Sequence, residues 1–208
     1  MRVLGIDPGS RVTGWAIVEG RARGGAEVLA SGVLRLGMDA PAARLGRLAE
    51  QLGEHIKDWQ PEAVALERAF VGANISSALR LGEARGAVLA LAGLRGLAVT
   101  DYPPATVKLS VAGHGRASKD EVALGVTRLV GGKHQGGDET DALAVALCHL
   151  AHAGFRARVA AAAEARPRQR ALRRPSGKGS SGEPSAQASP REMLAALRSR
   201  GGIRVVRR

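Results

Sequence analysis

Apolar positions along the chain group into short strand-like runs and longer runs with a helical period. Val3-Leu4-Gly5-Ile6 is a short apolar run closed by the turn-forming Asp7-Pro8-Gly9-Ser10. Apolar residues return from Val12 to Val18 and again from Ala26 to Leu36. Three strands joined by short links predict an antiparallel meander. From Pro41 to Trp59 the period changes: Leu45, Leu48, Leu52 and Ile56 recur at three- and four-residue steps, an amphipathic helix. Ala63 to Leu66 reads as a buried strand ending at Glu67, Asn74 to Leu94 as a long helix rich in Ala and Gly, and Leu97 to Tyr102 as a further strand. Helical stretches follow over Pro104–Ala112, Ser118–Val130 and Glu139–His152. The order β-β-β-α-β-α-β-α-α-α predicts an α/β protein with a mixed sheet covered by helices.

Beyond Phe155 the pattern dissolves. Ala- and Arg-rich sequence leads into Pro175-Ser-Gly-Lys-Gly-Ser-Ser-Gly-Glu-Pro184, a flexible linker by composition, and a short helical candidate, Arg191 to Arg200, precedes a basic end. The expected division is a globular domain over 1–154 and a basic, low-complexity extension over 155–208, disordered by default.

Charge sharpens that division. The 208 residues carry 31 Lys+Arg against 19 Asp+Glu, a net of +12. Residues 155–208 hold 14 of the basic and 3 of the acidic side chains, so the extension is strongly cationic and the body nearly neutral. The excess suits a polyanionic partner. Only five of the basic residues are Lys, so a general preference for Arg explains part of it. The single cysteine, Cys148, excludes a disulfide framework and a cysteine-ligated zinc site, and is most simply a small buried residue. No apolar run approaches the 18 or so residues of a membrane span, and the opening reaches Asp7 before a signal-peptide core could form, so a cytoplasmic protein is expected.

Four acidic positions close an apolar run or open a helix: Asp7, Glu67, Asp138 and Asp141. Carboxylates on rigid strand ends suit a hard cation, and Asp138 and Asp141, three apart, share one helix face. Four of them could hold a pair of Mg²⁺ ions roughly 3.5–4 Å apart, the spacing of two-metal phosphoryl transfer. Each also has a plainer reading. Asp7 before Pro-Gly is a common turn residue, Glu67 beside Arg68 suits a strand-end ion pair, and Asp138 with Asp141 suits an N-cap and its N3 partner. His149 and His152 lie too far along the last helix to join a ligand face, and packing is their expected role. Spacing alone leaves the choice open.

Six segments read together resolve it. Gly5-Ile6-Asp7-Pro8-Gly9-Ser10 with Thr13-Gly14, Ala65-Leu66-Glu67-x-x-Phe70, Leu81-Gly82-Glu83-Ala84-Arg85-Gly86, Val107-Lys108, Gly113-x-Gly115-Arg116-Ala117-Ser118-Lys119, and Asp138-x-x-Asp141-Ala142-Leu143-Ala144 resemble, in order, the RuvC family of bacterial Holliday-junction resolvases. The resemblance covers about residues 1 to 152. It implies an RNase H-like fold, here a mixed five-stranded sheet with helices on both faces. It further implies that Asp7, Glu67, Asp138 and Asp141 bind metal, two Mg²⁺ per site with Mn²⁺ as a substitute. Lys119 matches an active-site lysine, expected to act as a cation beside the scissile phosphate, and Lys108 a second lysine facing DNA. Phe70 matches an aromatic that meets unstacked bases, and Arg116 falls in the same DNA-facing segment as Lys119. His114 departs from the polar residue, commonly Asn, expected between the two glycines.

The resulting expectation is a Mg²⁺-dependent endonuclease that makes paired nicks in like-polarity strands of a four-way DNA junction. It would act as a homodimer, with Asn74–Leu94 as the candidate contact and a branch-migration motor complex as a candidate partner. The competing classes are a related nuclease acting on RNA or another branched nucleic acid, a phosphate-loop ATPase or kinase, and a non-catalytic DNA-binding module. The ATPase reading requires a second Asp-x-Gly-Ser/Thr loop, which the sequence lacks. A non-catalytic module would not require all four carboxylates.

Overall fold

The computed structural model describes residues 1–164 other than 23, 69–74, 133 and 135. The first three strands, β1 (Arg2–Asp7), β2 (Val12–Gly20) and β3 (Ala26–Arg35), form the expected antiparallel meander. Helix α1 (Pro41–Trp59) returns the chain so that β4 (Ala63–Glu67) lies parallel to β1. Helix α2 (Ile75–Leu94) then leads to β5 (Ala98–Tyr102), parallel to β4. The sheet order is β3-β2-β1-β4-β5, and α3 (Pro104–Ala112), α4 (Lys119–Val130) and α5 (Asp138–Glu164) complete the chain. The fold class agrees with expectation, but α5 runs beyond His152. Ala160–Ala163 supply strong helix formers that let it continue.

Strand alternation sorts the two cores. Leu4, Ile6, Ile17, Val64 and Leu66 point to one face and pack with Leu48, Leu52 and Ile56 of α1 and Ala84, Val88 and Ala92 of α2. Val3, Ala16, Val18 and Ala65 point to the other and pack with α3, α4 and the buried run Ala142–Cys148 of α5. By the same alternation Asp7 and Glu67, two residues beyond Gly5 and Ala65, belong to the α5 face. With few aromatic side chains to fill space, α5 must lie very close to the sheet. Gly5 permits this, since a Cβ there would stand 2.3 Å from the Ala142 carbonyl oxygen and 2.8 Å from the Ala146 Cβ.

Two glycine substitutions with opposite expected signs check this close contact. Gly5→Ala forces α5 off the strand, and overpacking of this kind costs about 1–3 kcal/mol. In a domain of this size each kcal/mol shifts Tm by roughly 2–4 °C. Gly46→Ala, in α1 with nothing near the added methyl, is expected to raise Tm, because Ala is favoured over Gly in a helix by roughly 0.5–1 kcal/mol. Thermal melts of both variants make the comparison; a Gly5→Ala protein as stable as the parent would contradict the close contact.

Candidate active site

Asp7 is the last residue of β1 and Glu67 the last of β4. Because Gly5 pairs with Ala65 and Ile6 with Leu66 in the parallel ladder, the two carboxylates emerge side by side from adjacent strands. On the other flank Asp7 pairs with Gly14 of β2. A Cβ at Gly14 would lie 1.8 Å from the Asp138 carbonyl oxygen, so this glycine lets the first turn of α5 rest on the strand end. That turn carries Asp138, Glu139 and Asp141, where acidic side chains are favoured by the positive end of the helix dipole. The Asp141 amide donates to the Gly137 carbonyl at 3.0 Å. Helix geometry therefore starts at Asp138, which is not the N-cap that its spacing also allowed.

The loop after Asp7 is tied down from both sides. The Gly9 amide donates to Thr13 Oγ1 at 3.3 Å, and the Thr13 hydroxyl donates to the Gly9 carbonyl at 3.2 Å. From α1, Arg44 donates to the Ser10 carbonyl at 3.0 Å. At the start of α5, the Ser31 hydroxyl of β3 donates to Glu139 at 2.6 Å. The acidic turn is thereby fastened to the sheet immediately beside Asp138.

The same convergence sets the electrostatics of the site. Burial, then the charges of Glu67, Asp141 and Asp138, push the Asp7 carboxyl from its ordinary 3.8 up to about 7, against the opposing pull of Lys119. Burial and Asp141 raise Glu67 as well, while Lys108 and Lys119 oppose the rise. Burial raises Asp141, with Asp138 adding to the effect and Lys119 and Lys108 countering it. Six sequence-expected residues thus act on one another at one end of the sheet: Asp7, Glu67, Lys108, Lys119, Asp138 and Asp141. Among the described residues no three His, Cys, Asp or Glu side chains are drawn together at the spacing of a coordination shell. The donor set nevertheless fits a hard divalent cation, since it is all carboxylate, fixed on rigid elements and already short of countercharge.

Lys119 is the first residue of α4 and reaches toward Asp141, with Nζ 3.9 Å from Oδ2, although its side chain is 79% exposed. A capping box fixes its backbone: the Glu121 amide donates to Ser118 Oγ at 3.2 Å and the Ser118 amide to Glu121 Oε2 at 2.8 Å. His114 stands against the same Glu121, Nε2 to Oε1 at 3.4 Å, which gives this unexpected residue a place beside the cap. Ser118-x-x-Glu121 has the spacing of a capping box, a local signal by which this support could have been found; the supports from Ser31 and Gly14 had no local signal. Arg116 is exposed in the turn between α3 and α4. Phe70 lies outside the described residues. His149 and Cys148 are buried in the α5 core, as their packing role required.

Comparison with known proteins places the chain as a whole. The family described as crossover junction endodeoxyribonuclease RuvC matches residues 3–149. The crossover junction endodeoxyribonuclease RuvC of Halorhodospira halophila (strain DSM 244 / SL1) is 47% identical over 154 residues, covering 73% of this chain and 90% of the relative. That of Anaeromyxobacter sp. (strain K) is 46% identical over 167 residues, covering 79% and 89%. The solved structure of T. thermophilus RuvC in complex with Holliday junction substrate superposes with a TM-score of 0.68 at 37% identity, over 77% of this chain and 96% of that one.

The raised Asp7 carboxyl makes a stability prediction. A carboxyl with a folded value near 7 and an unfolded value of 3.8 binds its proton more tightly when folded. Its contribution is full below about pH 4 and is lost as pH rises through about 7. Asp7→Asn carries no charge at any pH. In the presence of chelator it is expected to be more stable than the parent at about pH 8, by at most about 4 kcal/mol, with the gap shrinking toward about pH 4. Melting curves across that range check it, and a gap independent of pH would contradict the assigned cause.

Proposed function

The chain belongs to the RuvC family of crossover junction endodeoxyribonucleases, and we propose from this that it is a Mg²⁺-dependent Holliday junction resolvase nicking two like-polarity strands of a four-way DNA junction in recombination and repair. The observation that carries the reading is the meeting of Asp7 and Glu67, on neighbouring strand ends, with Asp138 and Asp141 on the first turn of α5. These four would hold two Mg²⁺ ions per site, with Mn²⁺ able to substitute. The chemistry those ions supply when bound is activation of the attacking water and stabilisation of the leaving oxygen.

The remaining roles belong to the chain itself. Strand ends fix Asp7 and Glu67, so phosphate rather than protein has to move into register. Lys119, held at the start of α4 by its capping box, offers a cation to the scissile phosphate and offsets the charge of Asp141. Lys108, on α3, adds positive charge on the side of Glu67, and exposed Arg116 extends it toward the DNA backbone. Phe70 follows Glu67 by three residues and is assigned to stacking on an unpaired base, a contact worth about 1–3 kcal/mol.

A two-fold junction calls for two such sites, and we assign α2 to the contact between copies of the chain. Ile75, Leu79 and Leu94 are 84%, 64% and 85% exposed. Methyl groups added at Gly82, Gly86 and Gly93 of the same helix would meet nothing. No helix among the described residues is long and apolar enough to cross a membrane, and a cytoplasmic site of action beside a branch-migration motor fits the reading. The nuclease domain is assigned to 1–154, with α5 carrying on beyond it, and 155–208 to a basic extension.

Two experiments test these assignments. Asp7→Asn keeps size and hydrogen bonding but removes a charge that holds the cation, so it is expected to abolish Mg²⁺-dependent cleavage of a synthetic four-way junction while still binding it. Cleavage near the parent rate would remove Asp7 from the metal site. The second concerns residues 165–208, which carry 12 basic and 2 acidic side chains. A chain ending at Glu164 is expected to cleave junctions but to bind DNA with a flatter salt dependence. Every phosphate that the extension no longer neutralises flattens the log–log slope by about 0.9 on duplex DNA. Titrations on junction and duplex at several salt concentrations measure this, and superimposable slopes would leave the extension no part in binding.

A further inference from the structure

Outside the acidic end of the sheet, the α5 core holds a polar pair that the proposed mechanism does not use. Tyr102 and His149 are 5% and 3% exposed, and Tyr102 Oη is 3.1 Å from His149 Nδ1. The tyrosine ring also packs edge-on against His149 and lies beside His152, with centroids 5.8 and 5.3 Å away. A buried hydrogen-bonded pair is harder to accommodate than apolar side chains of similar size, but it fixes one orientation. Both groups hold their neutral forms over the working range: burial lowers His149 to about 4 and raises Tyr102 to about 12.

The position of this pair gives it a consequence. Tyr102 ends β5, and in the parallel ladder it is the partner of Glu67. Its carbonyl accepts from the amide of Arg68, the residue after Glu67, at 2.8 Å. β5 is also the edge strand of the sheet, so among the described residues no further strand holds it from outside. His149 lies on α5 eight residues beyond Asp141, about 12 Å along the axis. We propose that Tyr102 is a positioning residue for strand cleavage, tying the strand end that carries Glu67 to the helix that carries Asp138 and Asp141. The side-chain bond fixes the edge strand on α5, and the main-chain bond passes that constraint to the end of β4. Glu67 and the α5 aspartates would hold cations together only if the two elements keep their separation. A misplacement of an ångström at a reacting centre can cost about a hundredfold in rate.

This inference rests on the carboxylate assignment above, and the test separates the two. Tyr102→Phe keeps the ring and removes the hydroxyl; His149→Leu breaks the bond from the other side. Single-turnover cleavage of a saturating four-way junction is measured across a Mg²⁺ titration, with junction affinity measured in chelator. Both variants are expected to lose about tenfold in rate and to need several-fold more Mg²⁺ for half-maximal cleavage, with junction affinity within about twofold of the parent. The double variant is expected to be no slower than the slower single one. Val126→Ala, a substitution on α4 in the same core that leaves the Tyr102–His149 bond in place, controls for reduced stability: it is expected to lower Tm and leave both the rate and the Mg²⁺ midpoint unchanged. An unchanged rate and midpoint in Tyr102→Phe, or the same losses in Val126→Ala, would overturn the positioning role. If Tyr102→Phe does not fold, His149→Leu decides alone by the same criteria. Asp7→Asn runs alongside. If it cleaves normally, the carboxylate reading fails; if it is inactive while Tyr102→Phe matches the parent, only the positioning role fails.

Discussion

The arrangement depends on how closely α5 lies on the β1–β2 hairpin. At Gly5 and Gly14 no side chain stands between sheet and helix, and α5 packs the rest of that face with the small and aliphatic residues Ala142 to Cys148. A helix one side chain farther away would carry its first turn clear of the strand ends. Glu67 and Asp7 would then project from the sheet with no aspartates opposite them. The close packing that replaces aromatic bulk in this core therefore also assembles the acidic site.

Assembly has an energetic consequence at the same place. Asp7, Glu67 and Asp141, partly out of water and close to like charge, favour protonation, most of all Asp7, and so oppose stability at neutral pH. Two lysines reduce this without cancelling it. The fold accommodates this because the surrounding supports do not involve the four site carboxylates: the Thr13–Gly9 pair, Arg44 on Ser10, Ser31 on Glu139, the Ser118–Glu121 cap, and the buried Tyr102–His149 bond. Each ties neighbouring segments together without neutralising those carboxylates. The acidic groups thus keep an unmet need for positive charge, which a divalent cation and the approach of a lysine can satisfy.

Much of this was legible in the sequence, for reasons that differ by level. Alternation and helical period located the strands and helices because burial on one face imposes a period of two or of about 3.6 residues on the residues themselves. Boundaries were sharp where chain chemistry marks them, as at Pro41 and Pro104. They were not sharp at the end of α5, where an alanine run lets the helix continue. The acidic residues, the two lysines and the family stood out because their motifs are short and local.

What the sequence determined by itself was the identity and order of the elements, the chemical nature of the site and the family of the chain, all carried by neighbours within a few residues. Only the tertiary structure decided where the acids stand relative to one another. Asp138 is not a cap because the helix begins at its own position, and Glu67 stands beside Asp7 because β4 pairs with β1. The supports from Ser31 to Glu139 and from Tyr102 to His149 join residues 108 and 47 positions apart. No periodicity or motif can link such partners, since their meeting is fixed by strand order and by where a helix crosses the sheet.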